Sequence, residues 1–446
     1  MNPLLRSLTL LAVLALPVGA QTVQPAPKPG HWEGALQLPS GKLDLLLDLH
    51  MKDGAWQGAL TIPAQGVKDL ALEGVAVAGG KLSFALPGIP GDPRFEGTIA
   101  ADGQSATGPF SQGGARLPLT LRRTGEVPAE VPPAGPVARA GERLVQFPGF
   151  NGFPLNGTVL AGGSHPYFAV MVAGSGPTDR DWSNPLIPMP SHAGRDVADW
   201  LRAQGIGSLR YDKRFIGSKD PKLDVSLDAQ AGDIKAAIAE ARRLPEAKGK
   251  KILLVGHSEG ALLSLVVADH ADALLLLSMP GMSMGKLILA QVQAQLTAAG
   301  APAEVSATNM GYLESVLDTI RRNQPLPAAP SGVAPGIVAL AKGLTRPESL
   351  GYVRDTLDLD PWVLAARLSE PSAIVWGDHD VQTWRPPTVP ASYHGLVLDL
   401  PDANHLLKRE TRPRGELSGA TAMTAYGDKT PMADLTPVAE WLKTLK

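Results

Sequence analysis

Cysteine is absent from all 446 residues. Its absence excludes disulfides, a thiol nucleophile, cysteine-ligated zinc and a lipoprotein anchor. Net charge is almost absent too. The chain has 41 Lys and Arg against 43 Asp and Glu, which leaves no electrostatic footprint for nucleic acid or an anionic membrane. Beyond the N-terminus, no stretch is long and apolar enough for a membrane span. No internal repeat suggests a solenoid or propeller. The chain is long enough for two or three domains with a sizeable core.

The N-terminus reads as a targeting segment. Arg6 supplies a positive start, Ser7 to Val18 is mostly Leu, Ala and Val, and Val18-Gly19-Ala20 resembles a small-residue cleavage site. Residues 1–20 are therefore expected to be a removed secretory signal, with Gln21 the mature start. The expected location is secreted or periplasmic, with no stable membrane insertion after signal removal. Residues 21–29 form a polar, proline-bearing tether.

Residues 30–125 alternate with period two. Leu43, Leu45, Leu47 and Leu49 share one face, and Lys52-Asp53-Gly54, Gly79-Gly80 and Asp102-Gly103 mark turns. This pattern predicts a small all-β sandwich or barrel. It carries no catalytic constellation, and His31 and His50 read as surface residues. The segment is a candidate for targeting or domain contacts. Residues 126–141, with Pro128, Pro132, Pro133 and Pro136, read as a semi-rigid linker.

From residue 142 to 446 the pattern changes. Buried apolar runs such as Tyr167–Val172, Ile252–Val255 and Ala273–Leu277 alternate with helical stripes such as Ile234, Ile238 and Ala241. Strands alternating with helices predict a mostly parallel, doubly wound α/β sheet. Residues from about 281 to 369 break that rhythm. Two amphipathic helices, around Leu287–Leu296 and Tyr312–Ile320, and a proline-rich joint at Pro325–Pro330 predict a helical cap inserted between sheet strands.

The run Ile252–Val255 leads into Gly256-His257-Ser258-Glu259-Gly260, followed by Leu262, Leu263, Leu265 and Val266 at helical spacing. Strand, tight turn and helix are the context that makes G-x-S-x-G a nucleophile elbow. Ser258 is the candidate nucleophile. The amide of Glu259, at the new helix start, is a candidate oxyanion donor. Gly174-Ser175-Gly176 follows an earlier strand and offers a second amide, from Ser175 or Gly176.

A serine needs a base and a residue to orient that base. Gly377-Asp378-His379-Asp380 and Asn404-His405 both follow predicted strands. His405 is the expected base and Asp380 its orienter, with Asp378 the competing acid and His379 a loop residue. His257 is expected to pack against the sheet. Asp179-Arg180-Asp181 and Asp212-Lys213-Arg214 are expected to pair with one another, in preference to Arg180 or Arg214 binding a substrate carboxylate. Glu259 is read as a helix-dipole partner. No metal or cofactor is called for.

Taken together, Val172-Ala173-Gly174-Ser175-Gly176-Pro177-Thr178-Asp179-Arg180-Asp181, Arg210-Tyr211-Asp212-Lys213-Arg214, the elbow, Asp380-Val381-Gln382 and Asn404-His405 resemble a known group. The chain is similar to secreted bacterial α/β hydrolases with a small β domain in front, related to the prolyl oligopeptidase-like and dienelactone hydrolase-like families. The resemblance implies an α/β-hydrolase fold with a helical cap, a triad of Ser258, Asp380 and His405, and ester hydrolysis more often than peptide cleavage. Phe215, Ala261 and Thr383 depart from the group's pattern, and Thr383 is expected to affect the acid little. The expected substrate is a small-molecule ester. Alternatives are a peptidase or amidase, a thioesterase or acyltransferase, and a non-catalytic binding protein of the envelope.

Overall fold

A computed structural model describes residues 26–446, except 39–40, 63–66, 88–91, 113, 127–137, 185–189, 217, 219 and 221. The expected signal segment, most of the tether and most of the linker lie outside the described residues.

The first unit is one antiparallel sheet. Its strands are β1 (Gly30–Leu38), β2 (Gly41–Lys52), β3 (Ala55–Ile62), β4 (Val67–Ala71) and β5 (Glu73–Ala78). They are followed by β6 (Lys81–Ala85), β7 (Arg94–Ile99), β8 (Ser105–Gln112) and β9 (Ala115–Gly125). The spatial order is β4-β3-β2-β1-β9-β8-β7-β6-β5. The two edge strands, β4 and β5, are consecutive in the chain and joined only by Leu72, whose N–H donates to the Gly58 carbonyl on β3 at 2.9 Å. The sheet thus curls, barrel-like, around one core to which strands from both of its halves contribute.

Period two decides the interior. Leu45, Leu47 and Leu49 point inward with Trp32, Leu60, Leu82, Phe84, Phe95, Phe110 and Leu121. Each such burial contributes about 1.5–3 kcal/mol. Trp32 is fully buried, and its indole N–H donates to the Lys28 carbonyl. The barrel interior is thus filled by side chains.

The second unit is an eight-stranded sheet: β10 (Glu142–Pro148), β11 (Pro154–Leu160), β12 (Tyr167–Val172), β13 (Gly207–Tyr211), β14 (Lys251–His257), β15 (Ala273–Leu277), β16 (Ser372–Gly377) and β17 (Leu396–Leu400). Its order is β10-β11-β13-β12-β14-β15-β16-β17. Only β11 runs against the rest. With the sharp Ser258 turn after the fifth strand, this is the α/β-hydrolase topology.

The central strands are buried on both faces, and their residues sort by parity. In β14, Ile252 and Leu254 face the core beneath α2 (Leu227–Ala241) and α3 (Glu259–Val266). Leu253 and Val255 face the core beneath α1 (Ala193–Ala203) and α10 (Thr436–Thr444). Ser226 caps α2, its hydroxyl accepting from the Ala229 N–H. Pro437 occupies the first turn of α10, where its missing N–H costs nothing.

Between β15 and β16 stands the cap: α4 (Met284–Ala298), α5 (Ala303–Arg321), α6 (Pro335–Leu344), α7 (Leu350–Leu357) and α8 (Pro361–Ala365). It has its own core, in which Val292, Leu313, Val316, Leu317, Ile320, Ile337 and Leu357 meet. A second excursion, residues 406–435, separates His405 from α10 and contains the short helix α9 (Gly419–Ala422). Lys408 anchors it. Its fully buried ammonium donates to Asp196 on α1 at 3.0 Å and to the Gly427 carbonyl at 3.2 Å.

Candidate active site

At the end of β14 the chain turns through Ser258, which has φ 53 and ψ −124, and enters α3 at once. A non-glycine residue at positive φ is strained and persists only where its surroundings hold it. Here the Ser258 N–H donates to the Leu277 carbonyl at 2.9 Å. Two glycines make the turn feasible. A Cβ on Gly256 would lie 2.5 Å from the Gly260 carbonyl oxygen, and one on Gly260 would lie 2.5 Å from the carbonyl oxygens of Val172 and Ala173.

His405 and Asp380 follow β17 and β16. The His405 Nδ1 lies 2.8 Å from Asp380 Oδ2, and both residues are buried. A carboxylate oxygen only accepts, so Nδ1 carries the proton and Nε2 is left as the base position. Asp380 is also held by the backbone N–H groups of Gln382, at 2.7 Å, and Thr383, at 3.0 Å. The Thr383 hydroxyl lies 2.7 Å from Oδ2. Burial pushes the Asp380 carboxyl upward, but the His405 imidazole and the Thr383 hydrogen bonds outweigh it and hold the group below its usual range.

These contacts revise the reading of Thr383, which bonds the acid directly. Asp378, the competing acid, turns away: its carboxylate pairs with the His379 Nδ1 at 2.5 Å.

Ser258 and His405 line one cavity of about 120 Å³. Gly174, Ser175, Trp182 and Tyr426 share its wall, and Gly176 does not. Gly176 adopts φ +75, and a Cβ there would meet the Asn184 side chain. The loop carrying Ser175 is fixed at several points. The Thr178 hydroxyl donates to the Ser175 carbonyl at 2.7 Å. Arg180 donates to Asp212 through its backbone N–H and its guanidinium, at 2.8 and 2.5 Å.

The two charged loops meet at Arg180 and Asp212, but their other cations look elsewhere: Arg214 bonds Asp233 on α2, and Lys213 bonds Glu259 on α3 at 3.0 Å. Arg210, on β13, bonds Asp181 and Glu142. The Glu259 carboxylate therefore has a specific partner besides the helix dipole. Its position in the first turn of α3 leaves its backbone N–H among those without a helical acceptor. Among the described residues, no group of three or more His, Asp or Glu side chains is arranged to hold a metal ion.

His257 does more than pack against the sheet. Its Nε2 lies 2.9 Å from the His405 carbonyl oxygen, its ring stacks on Trp182 at 4.8 Å, and it lies 4.9 Å from the His405 ring. Ser278 donates to the same carbonyl at 2.9 Å. No local pattern signals these contacts, because both partners are more than a hundred positions from His405. An activatable hydroxyl, a base and an oriented carboxylate are the parts required for acyl transfer through a covalent intermediate.

No family model matches the chain. Esterase EstD of Thermotoga maritima is 29% identical over 237 residues, covering 52% of this chain and 51% of that protein. Polyketide transferase af380 of Aspergillus fumigatus is 39% identical over 79 residues, 17% of this chain and 27% of that protein. The chain thus spans about half the length of the first of these curated relatives and about a quarter of the second. Among solved structures, an esterase of Pyrococcus furiosus aligns over 68% of this chain and 90% of its own, at 15% identity and a TM-score of 0.39. A carboxyl esterase of Bacillus coagulans aligns over 60% and 91%, at 17% identity and a TM-score of 0.38.

Proposed function

We propose that this protein is an exported serine hydrolase that cleaves carboxylic esters. The observation that carries the reading is a His405 held by Asp380 at 2.8 Å and lining the same cavity as Ser258, which stands on its positive-φ turn. In this reading the Ser258 Oγ attacks the acyl carbon, and the His405 Nε2 takes its proton. Asp380 keeps the imidazole in the Nδ1–H tautomer and stabilises the cation that forms. The amides of Glu259 and Ser175 donate to the tetrahedral oxyanion. His405 then returns the proton to the leaving alcohol, and water releases the acyl group. The esterase relative supports the ester as substrate class. The signal-like N-terminus supports export.

The test is hydrolysis of simple esters by wild type and by Ser258→Ala. Turnover by the wild type and a loss of about a thousandfold or more in kcat for the variant support the reading. Equal rates would end it. A second reading is acyl transfer to an alcohol, which the similarity to a polyketide transferase favours. It uses the same acyl-enzyme and differs only in the acceptor, so a mixed ester formed when a primary alcohol is added would identify it.

A further inference from the structure

The cavity at Ser258 is too small for more than the reacting group and its nearest atoms. Its volume is about 120 Å³, whereas sites that enclose a drug-sized ligand run from ~300 to 1,000 Å³. The rest of a substrate must lie elsewhere. A cleft of about 930 Å³ adjoins the cavity, and Gln382 lines both.

Two walls build the cleft. One is cap helix α4, which contributes Ala294 and Ala298 one turn apart on the same face. The other is the excursion after His405, which contributes Leu417 and Met423, and Val381 and Trp384 lie between them. Gln382 is pinned from both sides. Its side chain donates to the Tyr426 hydroxyl at 2.7 Å, and its carbonyl accepts from Gln291 of α4 at 2.8 Å. Among the described residues the lining holds no carboxylate. Its cation, Arg414, donates to the Asp378 carbonyl oxygen. Small and apolar side chains with amides at the boundary suit an uncharged hydrocarbon chain.

We infer that this cleft binds the long apolar arm of the ester, and that the small side chains of Ala294 and Ala298 set how much of that arm is accepted. The inference rests on the serine-esterase reading and adds the substrate's shape to it. Either half of an ester, acyl or alcohol, offers the same hydrocarbon chemistry, and the test separates the two.

Ala298→Trp and Ala294→Trp fill the cleft from exposed positions on α4, remote from the reacting groups. Each is compared with wild type on ethyl acetate, ethyl octanoate and octyl acetate, following acid release from the full-length mature chain. The expected result is a drop of about tenfold or more in kcat/KM for a long ester, with ethyl acetate unchanged. A loss confined to ethyl octanoate assigns the cleft to the acyl chain, and one confined to octyl acetate assigns it to the alcohol. The inference is overturned if both variants keep the wild-type ratio of long to short ester, or if all three esters fall alike. A wild type that hydrolyses none of the three is a different result: it removes the esterase reading, and this inference falls with it.

Discussion

The His257 Nε2–H donates to the main-chain carbonyl oxygen of His405 across 2.9 Å. A carbonyl only accepts, so the His257 tautomer is fixed by this contact. His257, the residue before Ser258, thereby holds the backbone of His405, the proposed base, 148 positions away, while its ring stacks on Trp182 in the wall of the cavity that Ser258 lines. The Ser258 turn, the His405 loop and the cavity wall are tied together by one neutral imidazole.

His257→Leu should therefore lower kcat by between about tenfold and a hundredfold, because small displacements of a catalytic group are costly, and leave KM nearly unchanged. His257→Gln keeps a donor and should retain most of the rate. Steady-state kinetics of the two variants check this. Equal losses in both would reduce His257 to a packing residue.

Burial, and then the neighbouring His405, push the His257 imidazole down to about 3. In the unfolded chain a histidine titrates near ~6.5. Between these values the unfolded state binds a proton that the folded state does not, so stability rises with pH across that window. As pH falls from about 6.5 toward about 3, His257 should cost up to about 1.4 kcal/mol per pH unit. Urea denaturation of wild type and His257→Gln at about pH 7 and about pH 4.5 tests this, with the variant expected to lose less stability on acidification.

The strands and the elbow were legible because their signals are local. The run Ile252–Val255 is buried on both faces, and Gly256 and Gly260 stand where a Cβ would collide with backbone. The roles of Thr383 and His257 were not legible, because they depend on partners that the tertiary fold brings in. Of the cap, α4 and α5 show clear stripes, whereas α6 to α8 are short and follow a proline-rich stretch that reads as a joint. The excursion from 406 to 435 has no helical or strand period. Its order comes from a buried lysine and scattered turns, which periodicity does not detect.

Thr383→Val removes a hydroxyl from the buried Asp380 carboxylate while keeping the shape. Hydrogen bonds to charged groups contribute about 1.5–3 kcal/mol, so chemical denaturation should show a loss of that order and kcat should fall. Thr383→Ser, which restores the donor, should recover most of both.

Gly260→Ala should destabilise the fold by at least about 1–3 kcal/mol, since the added carbon meets two carbonyl oxygens at 2.5 Å. Thermal unfolding measures this.

In the proposed reaction Ser258 forms the covalent intermediate. The direct measurement is the mass of the peptide carrying residue 258 after treatment with a fluorophosphonate. The expected result is one phosphonyl adduct on Ser258 in the wild type, no adduct in Ser258→Ala, and loss of esterase activity in step with labelling. An adduct on another residue, or an unlabelled wild type that still hydrolyses esters, would contradict it.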